Sequence, residues 1–107
     1  MNVYVSQGDI IKQGDIIKIE RNRHPVLAVS KDFFNKTGEI IGCPIFEKGE
    51  EGPLHIRINT GGTAGLVQCE KIALLDLNVR GYRRIDRIDM EDIINITDAI
   101  QGIFDYI

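Results

Sequence analysis

Short apolar runs separated by turn-forming residues extend through most of the chain, a pattern that predicts strands. In segment 15–20 (DIIKIE) apolar and charged residues alternate, which is typical of a strand with one buried face. The continuous apolar run VLAV at 26–29 predicts a central strand covered on both faces. Further strands are predicted at 39–45 (EIIGCPI), 54–58 (LHIRI), 66–70 (LVQCE) and 74–76, whereas 82–88 (YRRIDRI) fits a short strand or irregular chain.

Two local features interrupt this pattern. Ser30 precedes Lys31–Asn35, which predicts one turn of helix capped by Ser30 and closed at Thr37-Gly38. The hexapeptide QGDIIK occurs twice, at 7–12 and 13–18. Either the two copies are strands joined by a turn at 13–15, or only the second copy is a core strand and the first is an N-terminal addition.

The C-terminal segment predicts an amphipathic helix. Asp89 is a plausible N-cap, with Asp92 three residues on as an acidic variant of the capping box. About five helical turns at 3.6 residues per turn follow. Their apolar face is formed by Ile93, Ile96, Ile100, Ile103, Phe104 and Ile107. Phe33, Phe34 and Phe104 are expected in the core. Together these elements predict an α+β, mainly β domain, in which one helix covers a strongly bent antiparallel sheet or small barrel.

Length and composition favour one folded domain spanning residues 1–107, with 1–13 as a possible N-terminal extension. No apolar run approaches the roughly 18 residues needed to cross a membrane, and the N-terminal MNVYVSQGD does not resemble a signal peptide. Cys43 and Cys69 form no CxxC motif, which favours buried free thiols over a zinc site. We therefore expect a cytoplasmic protein without a metal or cofactor.

The net charge of −3 argues against a broad nucleic-acid-binding surface. Basic residues are nevertheless clustered, so a local anion site is compatible with the composition. Arg21 and Arg23 flank the turn before the VLAV strand. A second cluster, interpreted as a solvated edge or a dimer rim, contains Arg80, Arg83, Arg84 and Arg87.

The order of these signals resembles the MazF/PemK (Kid-like) toxin family of type II toxin–antitoxin systems, which has the CcdB/MazF fold. The matching segments are GDIIKIE at 14–20, HPVLAVS at 24–30 followed by FFNKTG, GCPI at 42–45, GLVQCEKIALLDLNVRG at 65–81, and the C-terminal helix. The resemblance implies a small SH3-like barrel that forms a homodimer. It also implies a growth-inhibiting toxin that cleaves single-stranded RNA, such as mRNA, without metal and is silenced by a cognate acidic antitoxin.

At three positions the chain departs from the family pattern. An Arg usually precedes the Pro that opens the second strand, where this chain has His24. A Thr or Ser usually follows the Pro of the third strand, where this chain has Ile45 and then Phe46. The Arg-x-Asp of Kid-like members is replaced by Gln68-Cys69-Glu70.

Cleavage of RNA by its own 2′-hydroxyl requires a base, an acid and positive charge at the phosphate. The resemblance and the residue types assign catalysis to His24, Arg23 and Glu70, with Glu70 as the base or as a group that orients His24. RNA-binding roles are assigned to Arg21, Phe46, Gln68 and Arg80. His55 alternates with apolar residues beside Arg57 and is interpreted as structural.

Two other functions remain open on the sequence alone. The lost hydroxyl and the lost Arg fit a catalytically impaired relative that keeps the dimer and the antitoxin groove as a binding or regulatory protein. A gyrase inhibitor like CcdB shares this fold. That activity depends on a Trp near the C-terminus, and this chain contains no Trp.

Overall fold

A computed structural model describes residues 10–105 of the protein. Seven strands and two helices form the domain, which confirms the predicted α+β, mainly β class. The strands are β1 (Asp15–Ile19), β2 (Val26–Ala28), β3 (Glu39–Phe46), β4 (His55–Asn59), β5 (Ala64–Gln68), β6 (Ala73–Asp76) and β7 (Tyr82–Arg87). The helices are α1 (Asp32–Asn35) and α2 (Met90–Phe104), and a 3-10 turn covers Cys69–Lys71.

All strand pairs are antiparallel, and the strands follow the order β4-β5-β3-β2-β1-β7, with β6 also paired to β3. The long β3 strand pairs with β6 near its start and with β5 near its end. Among residues 10–105, the sheet does not close by backbone pairing. Its two ends are instead joined where the Thr60 hydroxyl, in the turn after β4, donates a hydrogen bond to the Asp86 carboxylate on β7.

The core consists of two apolar clusters on opposite faces of β1 and β2. Ile16 and Leu27 belong to the larger cluster, which packs against α2. Ile17 and Val26 belong to the smaller cluster on the other side. The prediction that the VLAV strand is central and covered on both faces is therefore confirmed.

The start of α2 is the predicted one, because the Asp92 amide donates to the Asp89 carboxylate over 2.9 Å. Ile93, Ile96 and Ile100 are buried against the sheet as expected. Gly14 makes this approach possible, since a Cβ there would lie 2.6 Å from the Ile93 Cδ1.

Two of the three phenylalanines expected in the core are exposed, so that prediction was wrong for them. Phe104 is 71% exposed, because the cluster beneath α2 ends at Ile100 and the last turn of the helix continues beyond it. Phe33 is 74% exposed on the four-residue helix α1, which is too short to bury a full apolar face. Ile107 lies outside the described residues.

The predicted Ser30 cap was also wrong. Lys31 occupies the N-cap position of α1 without a side-chain hydrogen bond. The Ser30 hydroxyl instead accepts from the Ile41 amide over 2.9 Å and donates to the Asn35 side chain over 2.5 Å. Asn35 is buried and donates to the Ile11 carbonyl, so this polar network fixes the connection between β2 and β3.

The strand bounds bear on three further predictions. The second QGDIIK copy contributes β1, whereas Ile10–Lys12 of the first copy form no strand and residues 7–9 lie outside the described part of the chain. Segment 82–87 is a strand. The strand predicted at 66–70 ends at Gln68, and Glu70 lies in the 3-10 turn that follows.

Candidate functional site

The connection between β1 and β2 displays its cationic side chains to solvent. Arg21 adopts a left-handed backbone with φ of 71°, a conformation that a non-glycine residue seldom adopts. Arg80 holds the loop in place, because its Nη2 donates to the Asn22 side chain over 2.8 Å and to the Glu20 carbonyl over 3.3 Å. Arg21 and Arg23 are exposed. Arg80, predicted to contact RNA, therefore supports the loop that carries the other two arginines.

Strand register brings His24 and Phe46 together. Val26 on β2 is paired with Pro44 on β3, so two residues further out His24 lies opposite Phe46. Their rings are stacked, with centroids 4.2 Å apart and an interplanar angle of 25°. The Lys71 ammonium lies over the Phe46 ring at 4.6 Å, within the range of a cation–π interaction. Phe46 thus joins an imidazole and an ammonium group around one ring.

The stacked rings of His24 and Phe46 line a cleft of about 360 Å³. Arg23, Pro25 and Ile45 line the cleft as well. Glu47 and Lys48, which follow the end of β3, complete its lining. The cations around the cleft outnumber its one carboxylate. Such a lining suits an anionic ligand that also presents a flat apolar group.

His55 and Glu70 form a polar pair, and Glu70 is next to Lys71 in the sequence. His55 Nε2 is 2.7 Å from Glu70 Oε2, and His55 Nδ1 is 3.3 Å from the Glu50 carbonyl oxygen. The hydrogen bond to Glu70 raises the pKa of His55, and the same bond lowers the pKa of Glu70. Carboxylate and carbonyl oxygens only accept hydrogen bonds, so making both contacts requires a proton on each ring nitrogen. Both contacts therefore favour the charged form of each partner, the imidazolium and the carboxylate.

Two sequence-based assignments change with this geometry. Glu70 makes its side-chain hydrogen bond to His55, so the expectation that it orients His24 was wrong: the turn after β5 directs it towards β4. Gln68 is only 5% exposed, because it ends β5 inside the sheet, and a ligand cannot reach it directly. His55, interpreted as structural, pairs with Glu70, and Lys71, to which the sequence assigned no role, contacts the Phe46 ring. Pairing His55 with Gln68 across β4 and β5 would have placed His55 near Glu70.

The remaining titratable clusters have structural contacts. Arg84 and Arg87, expected at a solvated edge, both bind the buried Asp15 carboxylate, over 2.8 and 2.7 Å. Cys43 and Cys69 are free and buried, as predicted, and burial raises their thiol pKa values to about 12 and about 11.

Among residues 10–105, no group of three His, Cys, Asp or Glu side chains is placed to hold a metal ion. Within the same range, no helix has the length and apolar character to span a bilayer.

Comparison with solved structures shows the fold. The MazE–MazF complex (Form-I) from Deinococcus radiodurans matches with a TM-score of 0.82 and 17% identity, covering 90% of this chain and 97% of that one. An endoribonuclease from a mycobacterial species matches with a TM-score of 0.78 and 15% identity, over 90% and 92% of the two chains. A mycobacterial endoribonuclease in complex with its cognate antitoxin gives 0.76 and 15%, over 88% and 94%.

Comparison of sequences shows the family. No curated protein matches the chain at a significant level. The family model for the PemK-like, MazF-like toxin of type II toxin–antitoxin systems matches residues 7–104, which is nearly the whole chain. The resemblance read from the ordered segments is thereby confirmed: the chain belongs to the PemK-like, MazF-like toxin family of type II toxin–antitoxin systems.

Proposed function

We propose that the protein is a metal-independent endoribonuclease that cleaves single-stranded RNA at the cleft between β2 and β3. The observation that carries this proposal is the stack of His24 on Phe46 beside Lys71, at the edge of a cationic loop. A nucleotide offers a phosphate for the cations and a base for an aromatic ring. Family membership supports the same activity, because solved structures with this fold include endoribonucleases.

The proposed reaction is an internal transesterification of RNA. A base removes the proton of the 2′-hydroxyl, and the 2′-oxygen forms a bond to phosphorus. The bond from phosphorus to the 5′-oxygen breaks, and an acid protonates that oxygen. The products are a 2′,3′-cyclic phosphate and a 5′-hydroxyl, so no water or metal is consumed in the step.

His24 is the proposed acid, because an imidazole exchanges protons near neutral pH and this one lines the cleft. Arg23 lines the same cleft, and its guanidinium would bind the phosphate and stabilise the developing negative charge. Arg21, exposed on the same loop, would bind a flanking phosphate. Lys71 supplies the positive charge that the family pattern assigns to a strand arginine, from a position three residues after Gln68.

Glu70 is the proposed base. The hydrogen bond from His55 lowers the pKa of Glu70, which favours its ionised form. Oε2 faces His55, and the other carboxylate oxygen is assigned the role of accepting the 2′-hydroxyl proton.

The test is cleavage of a long single-stranded RNA by the purified protein in the presence of a chelator. We expect wild type to cut, and His24→Ala to cut about 10² to 10⁴ times more slowly, the usual contribution of a positioned acid or base. Lys36→Ala is the matched control, because Lys36 is an exposed cation at the end of α1 that does not line the cleft. Intact RNA with folded wild-type protein would contradict the proposal and favour the binding or regulatory relative.

We also propose a homodimer and an acidic antitoxin as partners. Exposed apolar side chains on the helices include Phe33, Met90 and Ile94, which line one groove that a second copy would cover. The cationic loop would attract an acidic segment of the antitoxin. The MazE–MazF complex and the mycobacterial toxin bound to its cognate antitoxin support a partner of this kind. Light scattering would report the dimer, and RNA should compete with the acidic segment.

A further inference from the structure

The pair of His55 and Glu70 has the features of a base held by a second residue. His55 is on β4 and Glu70 is in the turn after β5, so their hydrogen bond of 2.7 Å spans two elements. Both side chains are about one third exposed, at 35% and 38%, so the pair is accessible to solvent and to a ligand.

Lys71 relates this pair to the stacked rings of His24 and Phe46. Lys71 follows Glu70 in the same 3-10 turn, and its ammonium lies 4.6 Å from the centre of the Phe46 ring. Contacts therefore run from His24 through Phe46 to Lys71, and Lys71 is the residue next to Glu70 in the chain. The groups that act on the His55 ring are Glu70, the Glu50 carbonyl and, with opposite effect, Lys71.

The bonding of the His55 ring excludes a role as a free base. Both of its nitrogens face acceptors, so the ring has no open lone pair to take a proton. What it can do is donate to one carboxylate oxygen and so fix the orientation of the whole carboxylate. Orienting a functional group in this way is the usual role of a supporting hydrogen-bond partner.

We propose that His55 is a positioning residue for RNA cleavage, acting through Glu70: it holds the carboxylate so that the oxygen not bound to His55 accepts the proton of the attacking 2′-hydroxyl. This inference rests on the proposed function. In the step, the 2′-hydroxyl proton passes to Glu70 while the 2′-oxygen bonds to phosphorus, and the departing 5′-oxygen receives its proton from His24.

A double-mutant cycle tests whether His55 acts through Glu70. We expect Glu70→Gln to lower kcat by about 10² to 10⁴ and His55→Ala to lower it roughly 10-fold to 100-fold with little change in KM, a range like that of other supporting hydrogen-bond partners. The double variant should be no slower than Glu70→Gln alone, since residues that act as one unit are not additive. His55→Gln, which keeps a neutral donor, should recover part of the rate.

The control is Arg57→Ala on the same strand. Arg57 also forms an exposed ion pair, with Glu51 over 3.2 Å, but it does not contact Glu70. We expect it to cut at the wild-type rate. A loss in Arg57→Ala equal to that in His55→Ala would indicate a general effect on β4 and overturn the inference.

A measurement without RNA tests the hydrogen bond between His55 and Glu70 independently of RNA cleavage. NMR titration of the His55 ring should give a pKa above its ordinary value of 6.5 in wild type and a lower one in Glu70→Gln. Wild type that leaves RNA intact would overturn the proposed function and the role of His55 with it. Wild type that cuts, combined with additive losses in the double variant or an unshifted His55 titration, would overturn the role of His55 alone.

Discussion

At the scale of single residues, the chain departs from the family pattern at Phe46, where a Thr or Ser is usual. The Phe46 ring contacts His24 and Lys71, so this one substitution creates an aromatic centre for two cationic or titratable groups. From the sequence, Phe46 was assigned a role in RNA binding. The sequence did not reveal the stack with His24, because that contact depends on the register of β2 against β3.

Replacing Phe46 should weaken RNA binding more than folding. Phe46→Leu removes the ring on which a base would stack by displacing the Lys71 ammonium from it, and base–aromatic stacking is worth about 1–3 kcal/mol. We expect KM for a short RNA to rise about tenfold or more. The loss of the His24 stack should cost only about 1 kcal/mol of unfolding free energy. Kinetics and urea unfolding measure the two effects, with Phe46→Tyr as the variant that keeps the ring. Unchanged KM in Phe46→Leu would argue against RNA stacking here.

At the scale of elements, the edge strand β7 is attached to β1 by a buried carboxylate. Asp15 is 1% exposed and binds Arg84 and Arg87, and it also accepts from the Lys12 amide over 2.8 Å. From the sequence, the arginines were interpreted as a solvated edge. Their partner is about 70 residues away along the chain, and only the pairing of β1 with β7 brings them together.

Asp15→Asn should destabilise the fold without affecting the cleft. The amide cannot accept two charge-assisted hydrogen bonds, and such bonds contribute about 1.5–3 kcal/mol each at most. Both arginine side chains are about half exposed and can be rehydrated, so we expect a net loss of about 1–3 kcal/mol. Chemical denaturation gives the value, and Asp98→Asn, on the exposed face of α2, is the control. Equal stability of the two variants would mean that this bridge is not important for folding.

At the scale of the whole molecule, the periodicity of apolar residues and the positions of turn-forming residues predicted the fold better than the site. The strands, the Asp89 cap and the buried thiols were predicted, because each depends on local spacing and burial. The exposure of Phe33 and the pairing of His55 with Glu70 were not, since both depend on where separate elements meet. The closure between Thr60 and Asp86 belongs to this second kind: it joins the turn after β4 to β7.

That closure predicts a loss of stability in acid. The Thr60 hydroxyl, and then the Arg87 amide, lower the pKa of Asp86 below its ordinary value of 3.8. A lowered pKa means that the stabilisation is complete above 3.8 and disappears as the pH falls through the pKa of the folded protein.

Asp86→Asn should therefore unfold at a lower temperature than wild type near neutral pH. The difference should narrow below pH 3.8, where the wild-type carboxyl becomes protonated. Thermal unfolding across this range measures it. A constant difference at all pH values would show that the charge on Asp86 does not contribute.

The chemical identity of the RNA ends tests the central claim most directly. Fragments produced by the purified protein in chelator should carry a 2′,3′-cyclic phosphate on one side of the cut and a 5′-hydroxyl on the other, and His24→Ala should yield almost none. Fragments with a 3′-hydroxyl and a 5′-phosphate, or cutting that survives in His24→Ala, would contradict a reaction driven by the 2′-hydroxyl at this cleft.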